Sequence, residues 1–322
     1  MKRIRNYSLL VSAMLTFAFT SCNNNEIETI PYEGPVPVQV TAGIDGTMTR
    51  ASETSWENGD AIGISCSGTN TNYTNMKYVT ATGNGTFTHY NDDQEDFTTG
   101  IFFQGTEKVT FSAYYPFTET EKTKPGTDGN ISGNTSAQST NQNKIDYLYA
   151  GGVTATYATP TISFNGDNTK FKHKMTRLKL VLQTSADAGF SVNDVKNGTY
   201  KLGGLKHVGT FDVTTGVAEA TSTTAVSDWP VSTNCPYTDT NNQRTYTMIL
   251  YPQTVTGALP FTATIDSQTY RNATDIKFAD NKLLSGTSYT FTITIKKTGV
   301  TVSGCEIAAW ETGTAGSGTA EM

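Results

Sequence analysis

Tyr289-Thr290-Phe291-Thr292-Ile293-Thr294-Ile295 places a large apolar side chain at every second position with a threonine between each pair. A period of two sends successive side chains to opposite faces, so the segment reads as a β-strand with one face in a core and the other toward water. Val36, Val38, Val40, Ala42 and Ile44, separated by Pro37, Gln39, Thr41 and Gly43, repeat the pattern near the other end of the chain. Between these two lie further strand-like stretches at 61–65, 78–81, 85–90, 108–115, 147–150, 162–164, 171–184, 198–201, 209–212, 245–251 and 261–265. None sustains a helical period. Turn signals such as Asn58-Gly59-Asp60, Gly83-Asn84-Gly85 and Asn197-Gly198 separate them at short intervals, as in β-sandwiches. The expected class is all-β.

Composition agrees: about one residue in six is threonine, beside 29 Gly, 16 Tyr and 15 Phe. At the usual domain size, 322 residues make about two domains. We expect an N-terminal sandwich over 36–160 and a C-terminal sandwich over 161–322, divided near Thr159-Pro160 because proline ends a ladder and a new apolar series follows. Residues 119–144 are dominated by Thr, Gly, Ser, Asn, Gln and Lys, with Ile131 the one large apolar residue. Such a stretch cannot fill a core, and we expect a mobile loop inside the first domain. No fixed-period repeat is present, which excludes solenoids and propellers. Lys and Arg total 23 against 29 Asp and Glu, a net charge of −6 with pI near 5.1. That balance argues against nucleic acid as a partner.

The first 21 residues read as a lipoprotein signal peptide. Lys2, Arg3 and Arg5 precede an apolar run from Leu9 to Phe19, too short to span a bilayer, and Ser21 is the small residue before a cysteine. Cys22 stands where a lipobox places the acylated cysteine. A diacylglyceryl thioether and an N-acyl chain such as palmitate together give lasting membrane attachment. Residues 22–35 then form a polar tether.

Chemical motifs are sparse. His89, His173 and His207 each lie on or beside a strand with no metal-site spacing, and a lone strand histidine is structural far more often than it is a ligand. Gly63-Ile64-Ser65-Cys66-Ser67-Gly68 has its closing glycine one residue late for a nucleophile elbow, and no helix follows. Asp92-Asp93-Gln94-Glu95-Asp96 lacks the glycine and distant Glu of a calcium loop. Cys66, Cys235 and Cys305 are odd in number and far apart, consistent with packing or with one disulfide plus one thiol. No enzyme activity, metal or cofactor is expected.

Trp56-Glu57-Asn58-Gly59-Asp60-Ala61-Ile62-Gly63-Ile64 resembles the W-x-x-G-D-x-I-G-I signature of the fimbrillin, or Mfa-like, family. Further stretches follow in that family's order: 111–117 (FSAYYPF), 146–150 (DYLYA), 171–180 (FKHKMTRLKL), 251–254 (YPQT) and Ile307-Ala308-Ala309-Trp310. The resemblance spans Cys22 to about Trp310. It implies two transthyretin-like β-sandwich domains, export as a lipoprotein precursor to the bacterial outer membrane, and a place in surface fimbriae.

The resemblance also implies cutting by a trypsin-like or arginine-specific protease after Arg50, between it and Ala51, and assembly with other fimbrial subunits by strand exchange. On that reading Val36, Val38, Val40, Ala42 and Ile44 form a removable strand. Its departure would uncover an apolar groove and a row of unpaired backbone groups, which a neighbour's strand covers. Val300, Val302, Ile307 and Trp310 are the nearest carboxyl-terminal candidates for the donor, with Ser303-Gly304 interrupting their alternation. A second reading, from a different class, is an outer-surface lipoprotein that binds glycans on a receptor surface without polymerising.

Overall fold

Alternation becomes strand nearly everywhere it was expected in this computed structural model, which describes residues 31–45, 55–90, 100–118, 125–272 and 276–310. Cys22, Arg50, Ala51 and the acidic run at 92–96 lie outside the described residues. The longest sheet has eight strands, in the order Thr161–Phe164, Gln39–Ala42, Thr86–His89, Asn72–Val79, Ala61–Ser67, Val109–Tyr115, Leu148–Ala155 and Lys172–His173. Side chains from both ends of this sheet meet in one cluster, with Val40, Ile162 and Phe164 from one end and Ala150, Val153 and Ala155 from the other. The sheet therefore curls over a single core.

The second core lies between two sheets. The first runs Tyr237–Asp239, Gln243–Leu250, Thr176–Gln183, Thr287–Lys296, Gly299–Ala309; the second runs Trp229–Pro230, Thr199–Leu202, Phe261–Ile265, Gln268–Asn272. Leu178, Leu180 and Leu182 of the central strand face Tyr200, Phe261 and Ala263 of the smaller sheet, all buried in one cluster. Each such leucine contributes about 1.5 to 3 kcal/mol. Tyr289, Phe291, Ile293 and Ile295 join the same cluster, so the alternation of that segment is the packing of a sandwich.

A third cluster ties the two together. Tyr114, Ile131 and Tyr147 pack there with Phe211, Ile249, Tyr251 and Trp310, and the Tyr147 and Phe211 rings stack 4.6 Å apart. This cluster corrects the expectation for residues 119–144. Asn130–Asn134 is a strand paired antiparallel with Val208–Asp212, and Gln142–Ile145 is a helical turn. Gln138 is fully buried, and its carboxamide imitates a peptide group: Nε2 donates to the Ile249 carbonyl at 3.0 Å and Oε1 accepts from the Ile249 N–H at 2.7 Å. Gln142 Nε2 donates to the Thr247 carbonyl at 2.8 Å in the same way. Side-chain amides thus pair backbone groups of the Gln243–Leu250 strand that its short neighbour Tyr237–Asp239 does not reach.

The expected division at 160/161 also moves. Thr161–Phe164 runs parallel to Gln39–Ala42 in the first sheet, and Phe164 and Phe171 both belong to the first core. The chain enters the second sandwich only with Thr176–Gln183. Pro160 did not end the first sheet. Its carbonyl accepts a hydrogen bond from the Gln39 N–H at 2.8 Å, and the strand after it returns to the first one.

Candidate strand-exchange site

The amino-terminal apolar segment is woven into the first sheet. Val36–Pro37 pairs with Phe102–Phe103, and beyond Val38 the strand Gln39–Ala42 has a partner on each side. On one edge it runs parallel to Thr161–Phe164; on the other, Val40 and Thr41 face Phe87 and Thr86. Backbone bonds continue past the strand, from the Gly43 N–H to the Phe164 carbonyl at 3.0 Å and from the Asp45 N–H to the Phe171 carbonyl at 2.8 Å. Val40 and Ala42 are buried, whereas Val36, Val38 and Ile44 are half-buried. Of the five side chains read as filling a groove, two do so fully.

Trp56 closes this groove from above. Its indole N–H donates to the Ala42 carbonyl at 2.7 Å, and its ring meets Phe87, Phe171 and Tyr115 edge-on at 5.0, 5.1 and 5.4 Å. Asp60 organises the turn that follows, accepting from the Glu57 N–H at 2.7 Å and the Tyr115 hydroxyl at 2.9 Å. Burial and then the Asp60 carboxylate push the Tyr115 hydroxyl well above its ordinary pKa, so it stays a donor. Gly63 lacks a side chain for a steric reason: a Cβ there would lie 2.3 Å from the Tyr114 ring. The tryptophan and the Gly-Asp turn of the signature are therefore parts of one groove wall, whereas Gly63 makes room for Tyr114 on the other face of the sheet.

The carboxyl-terminal candidate behaves differently. Gly299–Ala309 lies antiparallel to Thr287–Lys296 along its whole length and is the outermost strand of its sheet. The expectation of a strand available to a neighbour is corrected to this extent: its inner edge is already paired within the chain. Val300 is buried and Val302 half-buried against Ile295 and Ile293, whereas Ile307 is 38% exposed. Gly304 is an extra residue between the pairs Thr292/Ser303 and Phe291/Cys305, and its φ of 72° is the left-handed conformation that glycine favours. Trp310, just past the strand, is buried. It stacks on His173 at 4.1 Å, has the Arg177 guanidinium 5.0 Å from its ring, and donates its backbone N–H to the Gly286 carbonyl at 2.7 Å.

Among the described residues no reactive group stands out. Cys66, Cys235 and Cys305 are free thiols, and burial raises all three, Cys66 and Cys305 to about 11. His207 is held down to about 4 by burial, with Thr135 Oγ1 3.1 Å from its Nδ1. Among the described residues no group of three His, Cys, Asp or Glu is placed to hold a metal. Sequence reasoning missed the contribution of Gln138 and Gln142, whose spacing of four residues in a polar stretch was the one available hint, and it missed what Trp310 packs against.

A curled sheet, a sandwich and terminal strands laid against them define an all-β protein organised around its strand edges. The chain belongs to the fimbrillin-like family, whose model matches residues 49–310. It is 28% identical over 321 residues, 97% of this chain and 98% of the other, to a Bacteroides uniformis protein named as a candidate fimbrium subunit, Fim1C. Two crystal structures named as candidate cell adhesion proteins share the fold. One, from Bacteroides ovatus, is 25% identical with a TM-score of 0.67 and covers 86% of this chain and 99% of its own. The other, from Bacteroides uniformis, is 24% identical with a TM-score of 0.66 and covers 87% and 100%.

Proposed function

We propose that this protein is a structural or accessory subunit of bacterial surface fimbriae, not an enzyme, exported as a lipoprotein acylated at Cys22 and anchored in the outer membrane. A protease cuts it after Arg50, and donor-strand exchange joins it to other subunits in support of adhesion. The observation that carries the reading is the position of Gln39–Ala42 between two strands and over the first core. Its loss would expose the backbone edges of both neighbours together with Phe87, Ile162 and Phe164. A groove of that kind is filled only by another strand of matching alternation. Arg50 falls in the stretch that follows this strand, and the family match begins at residue 49, after it. Gly299–Ala309 would be the donor only after leaving Thr287–Lys296, because filling a groove between two strands takes both of its edges.

Intact-mass and amino-terminal analysis of the protein recovered from the cell surface should find a mature chain beginning at Ala51, and protein retained uncut should carry the lipid at Cys22. Treatment with an arginine-specific protease should convert purified monomer into a ladder of denaturant-resistant oligomers, and Arg50→Ala should abolish the ladder. Monomer that persists after complete cutting at Arg50 would refute the assembly mechanism.

A further inference from the structure

The strand Gln39–Ala42 is held at its far end by a side chain. Its ladder with Thr86–His89 stops at the pair Thr41/Thr86, and the Ala42 N–H makes one more bond, to the Gly85 carbonyl at 2.8 Å. The Ala42 carbonyl points to the same edge, and there it accepts from the Trp56 indole N–H at 2.7 Å. Two glycines make this approach possible. A Cβ on Gly85 would lie 2.6 Å from the Ala42 oxygen, and one on Gly83 would lie 2.5 Å from the Trp56 carbonyl oxygen. Both glycines also hold positive φ, 81° and 68°. The turn 83–85 and Trp56 thus form a receptor for one main-chain carbonyl, and a cut after Arg50 leaves that receptor on the body of the protein.

The same indole limits what that carbonyl can be attached to. Ala42 is buried in the first core, with Phe164 beside it in the parallel ladder and Trp56 packed edge-on against Phe87 and Phe171. In a slot walled by rings, added methyl groups force the neighbours off their rotamers. A strand shifted by one residue would turn its polar side inward, and one shifted by two would bring a large side chain into the slot. Carbonyl and slot together therefore fix the register. The chain holds a second segment of the required kind: Val300-Thr301-Val302-Ser303-Gly304 matches Val38-Gln39-Val40-Thr41-Ala42 in character at every position. Ser303 would supply the hydroxyl with which Thr41 accepts from Asn165 Nδ2 at 2.8 Å, and Gly304 the small residue. Cys305 would follow at the place of Gly43, where a Cβ meets only the exposed Asn165 side-chain oxygen, at 3.0 Å. The alternative register, with Ile307 and Ala309 inward, would bring Trp310 to that place.

Resting on the strand-exchange reading above, we propose that Trp56 selects the incoming strand. It binds one main-chain carbonyl and admits only glycine or alanine on the residue that carries it, and the strand that fits is residues 300–304 of a second copy, laid parallel to Thr161–Phe164. In the full-length protein the Trp56 indole N–H should be protected from hydrogen exchange. It should lose protection after cutting at Arg50 and regain it when a synthetic peptide of residues 298–305 is added under reducing conditions. The same peptide with Gly304→Val should bind at least about tenfold more weakly, and Trp56→Phe in the protein should return most of that loss. The peptide pair needs no variant of the protein, so it decides the size rule if Trp56→Phe does not fold. A peptide of residues 36–45 is the control for exchange itself. Its failure to re-enter the cut protein would refute strand exchange and the second copy as occupant. The selection by Trp56 would then be read in the uncut chain, where Ala42→Val should lower the folding equilibrium constant about tenfold, and much less beside Trp56→Phe. The proposal is overturned if peptide 36–45 enters and peptide 298–305 does not, or if valine at 304 is accepted as readily as glycine. It is equally overturned if Ala42→Val costs the same with and without the indole.

Discussion

The first and last apolar strands read alike in sequence and are used in opposite ways. Gln39–Ala42 is flanked on both edges and sends Val40 and Ala42 into the first core. Gly299–Ala309 is paired on one edge only, and its apolar positions fade from buried Val300 to exposed Ile307. Detaching the first strand would open a sheet in its interior; detaching the last would shorten a sheet by one strand. Hydrophobic alternation tells which face of a strand is apolar, and only the neighbours tell whether its removal leaves a groove.

The largest expected effect tests this contrast directly. Val40→Asp places a carboxylate in the first core with no partner, and we expect a loss of at least about 4 kcal/mol of folding stability in denaturant titration. Ile307→Asp puts the same charge on an outer strand, and we expect a change within about 1 kcal/mol. Similar costs at the two positions would erase the distinction between an interior and a peripheral strand.

Trp310→Ala is expected to come next, at about 3 kcal/mol, because it empties a buried slot and removes both the His173 stack and the Arg177 contact. The last strand has one paired edge, so this residue acts as its fastening to the rest of the molecule. Hydrogen exchange should therefore lose more protection along Thr287–Lys296 and Gly299–Ala309 than along Gln39–Ala42. Equal loss in both regions would show that the strands open together, and the comparison would then describe geometry without a difference in local stability.

Where one face of a strand is buried the sequence was readable, because the burial is written in the alternation; Leu178, Leu180 and Leu182 are the plainest example. The strand 161–164 was readable as a strand but not as a partner of Gln39–Ala42, since a parallel pairing across more than a hundred residues leaves no local mark. Within the stretch 119–144, residues 125–144 were misread because their attachment uses one apolar side chain, Ile131, a backbone ladder and the Gln138 and Gln142 amides, and hydrogen-bonding capacity has no period to detect. The five alternating positions at 36–44 were readable as a strand, whereas the idea of a groove beneath it came with the family resemblance; Val38 breaks the segment into two short pairings. The stack that holds Trp310 depends on His173, Asp146 and Arg177 converging from distant parts of the chain, and no spacing encodes that.

The interruption at Ser303-Gly304 shows what one residue can decide. Before it, Val300 and Val302 face Ile295 and Ile293; with strict alternation the next core-facing positions would be Gly304 and Glu306. The extra residue resets the register, so that Cys305 faces Phe291 and Ile307 faces Tyr289 while Glu306 turns outward. A Cβ at Gly304 would meet nothing within 4 Å, so the demand on this position comes from its φ of 72° alone. Gly304→Ala should therefore cost about 1 kcal/mol, and Gly304→Asn less, because asparagine tolerates the left-handed region. This small effect is also the most local, and the chemical shifts of Cys305 and Ile307 should report it before global stability does. If alanine at 304 costs nothing and those shifts move, the strand has straightened and turned Glu306 toward the core. The outer edge would then be flat enough for a neighbour to pair with, and the bulge would be a guard against edge pairing as well as a register device.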